Sequence, residues 1–220
     1  MNPELKLLGI SQKTYDFVKS CENSLGNIYE GIEANEAYTQ ARVLRAFQDN
    51  CIALRHFAPT SGYGYDDIGR EALGAVFACA LEAEDALVRP QISSGTQAIF
   101  TALSGLLEPG DVMLSLTGKT YDRLEKAIGI SCDEYCSLTR MGVIYRQVDL
   151  TADGHIDIDA AKAAITGSEK VIYFQRSRGY SWRNALTPEE MAPVFDMAKK
   201  LAPNAFVVVD NCYGEFTLAS

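Results

Sequence analysis

The chain has 220 residues, 47% hydrophobic and 22% charged, enough for one large domain with a real core. A formal net charge of −9 and a pI near 4.8 argue against a nucleic-acid surface, whose footprint is basic, but leave room for a local phosphate pocket. No run approaches the ~20 apolar residues that span a bilayer; with no signal-peptide pattern and six cysteines in neither disulfide-framework nor zinc spacing, a cytoplasmic protein with reduced thiols is expected.

Residues 1–56 read as a helical N-terminal arm. Leu7, Leu8, Tyr15, Phe17 and Val18, then Ala41, Val43, Leu44, Phe47 and Leu54, recur at broadly helical spacing. Residues 57–64, FAPTSGYG, are a turn-rich break, after which Asp66 or Asp67 is placed to cap a helix running to about Glu84. From there the chain alternates. Short β-rich runs fall at Ala86–Ile92, Val112–Leu116, Val143–Val148, Lys170–Gln175 and Phe206–Asp210. Helical patterns lie between them at about 97–107, 120–129, 157–166 and 188–201. Glu108-Pro109-Gly110-Asp111 stops one helix, and Thr187 with Pro188 starts another. Alternation of this kind predicts an α/β fold with a mostly parallel sheet sandwiched by helices. The expected organisation is residues 1–56 as the arm and 57–220 as one α/β domain.

Ligands of open α/β sheets bind at the carboxyl ends of the strands. Ser93-Ser94-Gly95-Thr96 sits at such an end and opens a helix, so its N–H groups suit a phosphate and Gly95 allows a close approach. An ordinary serine cap explains the same residues. Asp210 closes the apolar run Val207-Val208-Val209 and is either a ligand contact or a cap. Tyr121, after the second run, is placed to stack on a flat ring or to pack over its own helix start. Arg176 and Arg178 offer guanidinium forks for a carboxylate or phosphate, with solvated loop arginines as the plainer reading. Gly62-Tyr63-Gly64-Tyr65-Asp66-Asp67-Ile68-Gly69-Arg70 fails the dinucleotide spacing, since Asp67 stands where glycine is needed and no strand precedes it. His56 and His155 belong to no metal motif, and no metal site is expected.

Taken together, RHFAPTSGYGYDDIGRE, ISSGTQAI, LTGKTYD, QRSRGYSWR and VVVDNCYGEF resemble the methionine gamma-lyase-like family, also described as cystathionine beta-lyase-related proteins linked to aluminium resistance. The likeness runs from about residue 30 to the end, with the motifs in the family's order. It implies fold type I, the architecture of pyridoxal-phosphate-dependent transferases, and a cytoplasmic lyase of sulfur amino acid metabolism that assembles as a homodimer or homotetramer. Pyridoxal 5′-phosphate is the implied cofactor. By the same resemblance Ser94, Gly95 and Thr96 form the phosphate cup, Tyr121 stacks on the pyridine ring, and Asp210 holds the ring nitrogen protonated. Tyr63, Tyr65 and Arg70 match residues that reach a partner subunit's site, and Arg178 is a candidate for the substrate carboxylate.

Family members continue to a Schiff-base lysine and a smaller C-terminal domain. None of the nine lysines here matches that lysine; Lys199 and Lys200 precede the Asp210 strand. The chain therefore resembles the N-terminal half of such an enzyme, with the C-terminal part missing and no catalytic residue assigned. The implied reaction is carbon–sulfur β- or γ-elimination, with this half alone expected to be inactive. A non-catalytic α/β ligand-binding module, or another fold-type-I enzyme such as an aminotransferase, are the alternatives.

Overall fold

The structure, a computed structural model, describes residues 3–65, 67–131 and 135–218. Asp66, one of the two expected caps, and Cys132 lie outside the described residues. Two compact units emerge: Met1–Val88 with Phe216–Ser220, and Arg89–Glu215.

The first unit is helical. It holds α1 (Pro3–Leu7), α2 (Gln12–Ser24), α3 (Gly26–Asp49), a 3-10 turn at Leu54–Phe57 and α4 (Ile68–Ala80). Ser11 caps α2 by accepting the Thr14 N–H at 3.1 Å. Helices α3 and α4 meet through Ala46, Val76 and Ala80, with Val43 and Ile52 packed against them. These side chains are small, so the helices approach closely. Arg42 fastens the contact by donating to the Ala80 carbonyl at 2.9 Å. Asp67 caps α4, accepting the Arg70 N–H at 3.3 Å and the Arg70 Nε at 2.8 Å.

The second unit is the α/β layer structure expected. Strands β1 (Val112–Ser115), β2 (Ile144–Gln147), β3 (Glu169–Gln175) and β4 (Phe206–Asp210) form a parallel sheet in the order β2-β1-β3-β4. Helices α5 (Gly95–Leu106) and α6 (Asp122–Ile128) supply one face, α7 (Ile158–Ala164) and α8 (Pro188–Leu201) the other. Strand β3 shows why: from Val171 to Phe174 every side chain is fully buried, as a strand covered on both faces requires. Val171 and Tyr173 pack with Leu103, Met113, Leu124 and Ile128, whereas Ile172 and Phe174 pack with Leu114, Leu116, Met191 and Val194. Each such burial contributes about 1.5–3 kcal/mol. Phe174 also meets Phe195 of α8 edge-on, with ring centroids 4.8 Å apart.

The run Ala86–Ile92 is not a strand. Pro90 has no N–H for a ladder, and the Ile92 N–H turns back to the Arg89 carbonyl at 3.1 Å. The chain enters α5 from a turn.

Candidate functional site

Helix α5 begins where the sequence placed it. Ser94 is its N-cap, in extended geometry, and its hydroxyl oxygen accepts the Gln97 N–H at 3.2 Å. Gln97 answers by accepting the Ser93 N–H at 2.8 Å, so the first turn is closed from both sides. Among the described residues, the N–H groups of Gly95 and Thr96 donate to no acceptor. They point out of a twelve-residue helix whose dipole favours negative charge there.

Across the sheet, Asp210 ends β4 and is buried, with 4% of its surface exposed. Its Oδ1 accepts the Cys212 N–H at 3.0 Å and its Oδ2 accepts the Tyr173 hydroxyl at 3.3 Å. A carboxylate has about four lone-pair positions, so Asp210 keeps acceptor capacity for a ligand. Burial, and then the bond to Asp210 and its charge, push the Cys212 thiol up to about 11, so it is a neutral thiol at pH 7.

Tyr121 lines the same cavity as these two features. Its hydroxyl bonds Thr96 Oγ1 at 2.9 Å, and its N–H donates to Gln175 Oε1 at 2.9 Å. Burial raises its phenol above the ordinary 10.0, against the Thr96 bond, and the Asp210 charge adds to the rise. Gln175 is itself fixed by its N–H to Thr117 Oγ1 at 2.8 Å and by its Nε2 to the Ser177 carbonyl at 3.1 Å. The result is a cavity of about 680 Å³, lined by Gly95, Thr96, Tyr121 and Asp210 and rimmed by Arg123, Tyr180 and Tyr213. That size is ordinary for a small-molecule or cofactor site.

Of the residues expected from sequence, the structure brings Gly95, Thr96, Tyr121 and Asp210 onto one cavity. Ser94 caps the helix beside it and lines the neighbouring groove with Thr96 and Arg123. Arg178 is exposed and outside the cavity lining. Arg176 is the clamped arginine, donating to the Leu186 carbonyl at 3.0 Å and to Asn211 Oδ1 at 2.9 Å. Tyr63, Tyr65 and Arg70 belong to the first unit; the two tyrosines are exposed, and Arg70 pairs with Asp67. Sequence reading missed Tyr173, Gln175 and Cys212. Cys212 was findable, two residues beyond Asp210, but the other two depend on how β3 registers with β4.

The group that fits is anionic at one end and carries a hydrogen-bond donor at the other. Two free N–H groups await an anion, a buried carboxylate with spare lone pairs awaits a donor, and an aromatic side chain lines the same cavity.

The chain is similar to several known proteins. Protein YnbB of Bacillus subtilis is 44% identical over 196 residues, which is 89% of this chain and 47% of that protein. L-methionine gamma-lyase of Pseudomonas putida is 31% identical over 156 residues, 70% of this chain and 34% of that enzyme. The crystal structure of a carbon-sulfur lyase involved in aluminium resistance from Clostridium novyi superposes with a TM-score of 0.89 at 38% identity, over 96% of this chain and 51% of that one. The chain thus spans about half or less of the length of these relatives. The methionine gamma-lyase family model matches residues 14–220, and with that match the chain is placed as a member of the methionine gamma-lyase family.

Proposed function

We propose that this chain carries the cofactor half of a pyridoxal-phosphate-dependent carbon–sulfur lyase that eliminates the sulfur substituent of an amino acid by β- or γ-elimination. One observation carries the reading. A buried carboxylate at the end of β4 and the open N-terminus of α5 share one cavity, which Tyr121 also lines.

The Gly95 and Thr96 N–H groups bind the phosphate, and the α5 dipole adds to that attraction. Ser94 keeps its hydroxyl hydrogen free to donate, because only its oxygen is used in the cap. Tyr121 offers its ring to one face of the pyridine. Asp210 holds a proton on the ring nitrogen, since a buried carboxylate favours a positive neighbour. Bound there, pyridoxal phosphate supplies an electron sink for charge that develops on the amino-acid substrate. Among the described residues no lysine lines the cavity, and no proton-transferring role is assigned to this chain. Arg178, Tyr63, Tyr65 and Arg70 are proposed as contacts to substrate or to a partner subunit's site. On this reading the whole enzyme is a cytoplasmic homodimer or homotetramer; the free cysteines among the described residues fit a reducing compartment.

The test is product analysis with the whole protein that contains this chain, loaded with pyridoxal phosphate and given cystathionine, methionine or cysteine. The expected result is release of a 2-oxo acid and a thiol from at least one of them. Asp210→Asn should slow that release on the order of a hundredfold, as removal of a charge-stabilising group does elsewhere. Transamination without loss of sulfur would replace the lyase reading with an aminotransferase.

A further inference from the structure

Tyr173 does not line the cavity, yet its hydroxyl bonds the buried carboxylate that does. It sits in the middle of β3 with none of its surface exposed. In the parallel register Tyr173 pairs with Val208 and Gln175 with Asp210, so Tyr173 and Asp210 lie on the same face of neighbouring strands, one pleat repeat apart. The phenol reaches along that repeat and donates to Asp210 Oδ2 at 3.3 Å. Among the described residues this carboxylate is its one hydrogen-bond acceptor.

We infer that Tyr173 is a positioning residue, which acts through Asp210 to hold that carboxylate in the orientation that meets the ring nitrogen of the cofactor; the inference rests on the function proposed above. A buried carboxylate held only from the Cys212 side, by that residue's N–H and thiol, can still rotate about its Cβ–Cγ bond. The Cys212 N–H fixes Oδ1, and the Tyr173 hydroxyl fixes Oδ2. At 3.3 Å the second contact is longer than the roughly 2.7–2.8 Å usual for O–H···O. It orients the oxygen while leaving most of its acceptor strength for a ring N–H. Burial, and after it the Asp210 charge and the bond to it, raise the Tyr173 phenol far above its ordinary value. The proton therefore stays on the tyrosine, and the tyrosine stays a donor.

A tyrosine retained only to fill the sheet would occupy the same space. The two roles separate when the ligand's nitrogen is varied. Pyridoxine 5′-phosphate keeps the ring nitrogen and phosphate but has no aldehyde to react with surface lysines. Its 1-deaza analogue has carbon in place of that nitrogen. Both are titrated into this chain, into Tyr173→Phe, and into Asp210→Asn, each after a melting curve has verified folding. Wild type should prefer the nitrogen ligand, and Asp210→Asn should lose that preference. Tyr173→Phe should cut it by about tenfold, the scale of a hydrogen bond to a charged group, while the affinity for the deaza analogue stays unchanged. A Tyr173→Phe preference equal to wild type overturns the inference and leaves the function reading intact. Absence of any preference in wild type, or of binding, overturns both. As a check free of any substitution, the buried Tyr173 hydroxyl proton in wild type should shift in the NMR spectrum with the nitrogen ligand and not with the deaza analogue; equal shifts with both also overturn it.

Discussion

At the scale of single residues, the site is a set of polar groups each held by one or two bonds, with the reactive-looking ones made inert. Cys212 is the clearest case. It lies close enough to α5 that a Cβ on Gly95 would come within 3.3 Å of its sulfur. With its thiol pushed up to about 11, it carries on the order of a hundredfold less thiolate at pH 8 than a cysteine at its ordinary 9.0. Iodoacetamide at pH 8 should therefore label the exposed Cys21, Cys51, Cys79 and Cys136 well before Cys212, as read by peptide mass spectrometry. Labelling of Cys212 at the rate of the others would mean that Asp210 does not hold it. Much of this site was legible in the sequence, because Ser94-Gly95-Thr96 and Asp210 sit at element boundaries that local pattern marks. Tyr173 was not legible. It reads as one more apolar-run residue of β3, and only the register with β4, set by packing across the sheet, brings its hydroxyl to Asp210.

At the scale of elements, boundaries marked by caps and breakers came out where expected. Thr187 caps α8 through the Glu190 N–H, with Pro188 as its first residue, and α8 runs from Pro188 to Leu201. The Ala86–Ile92 run misled because its β-rich composition outweighed Pro90. Glu169, at the start of β3, shows how a strand end is stapled. Its carboxylate accepts the Thr166 N–H at 3.1 Å, the Gly167 N–H at 3.0 Å and the Thr166 hydroxyl at 2.8 Å, and pairs with Arg146 of β2. Burial alone would raise its pKa, but these bonds overcome that and hold it below the ordinary 4.5. A depressed carboxylate stabilises the fold above its unfolded value and loses that contribution as pH falls through its folded value. Glu169→Gln should thus destabilise the fold by about 1–3 kcal/mol at pH 7, and the gap to wild type should narrow in acid, measured by urea unfolding at both pH values. Gly69 is a second element-level feature. A Cβ there would strike the His56 carbonyl oxygen, which is backbone and cannot swing aside. Gly69→Ala should cost about 1–3 kcal/mol of stability by the same measurement. Gly69 thus serves packing at the start of α4, whereas Gly62 and Gly64, the glycines that suggest a dinucleotide loop, turn the chain at φ values of 77° and 78°.

At the scale of the whole molecule, topology does what no local pattern can. The strand order β2-β1-β3-β4 sets the carboxyl ends of β1, β3 and β4 side by side, so that residues from α5, α6 and β4 line one cavity. The alternation of strand and helix announced the α/β class, and the order of the strands came from the structure. The first unit contributes the exposed Tyr63 and Tyr65, which the function reading gives to a partner subunit's site. The central claim is that one cavity binds pyridoxal phosphate with its phosphate at α5 and its ring nitrogen at Asp210. The most direct measurement is a crystal structure of the chain grown with pyridoxal 5′-phosphate. The account predicts phosphate density against the Gly95 and Thr96 N–H groups and the ring nitrogen within hydrogen-bond reach of Asp210. Density for the cofactor elsewhere, or a ring turned so that its nitrogen faces away from Asp210, would contradict it.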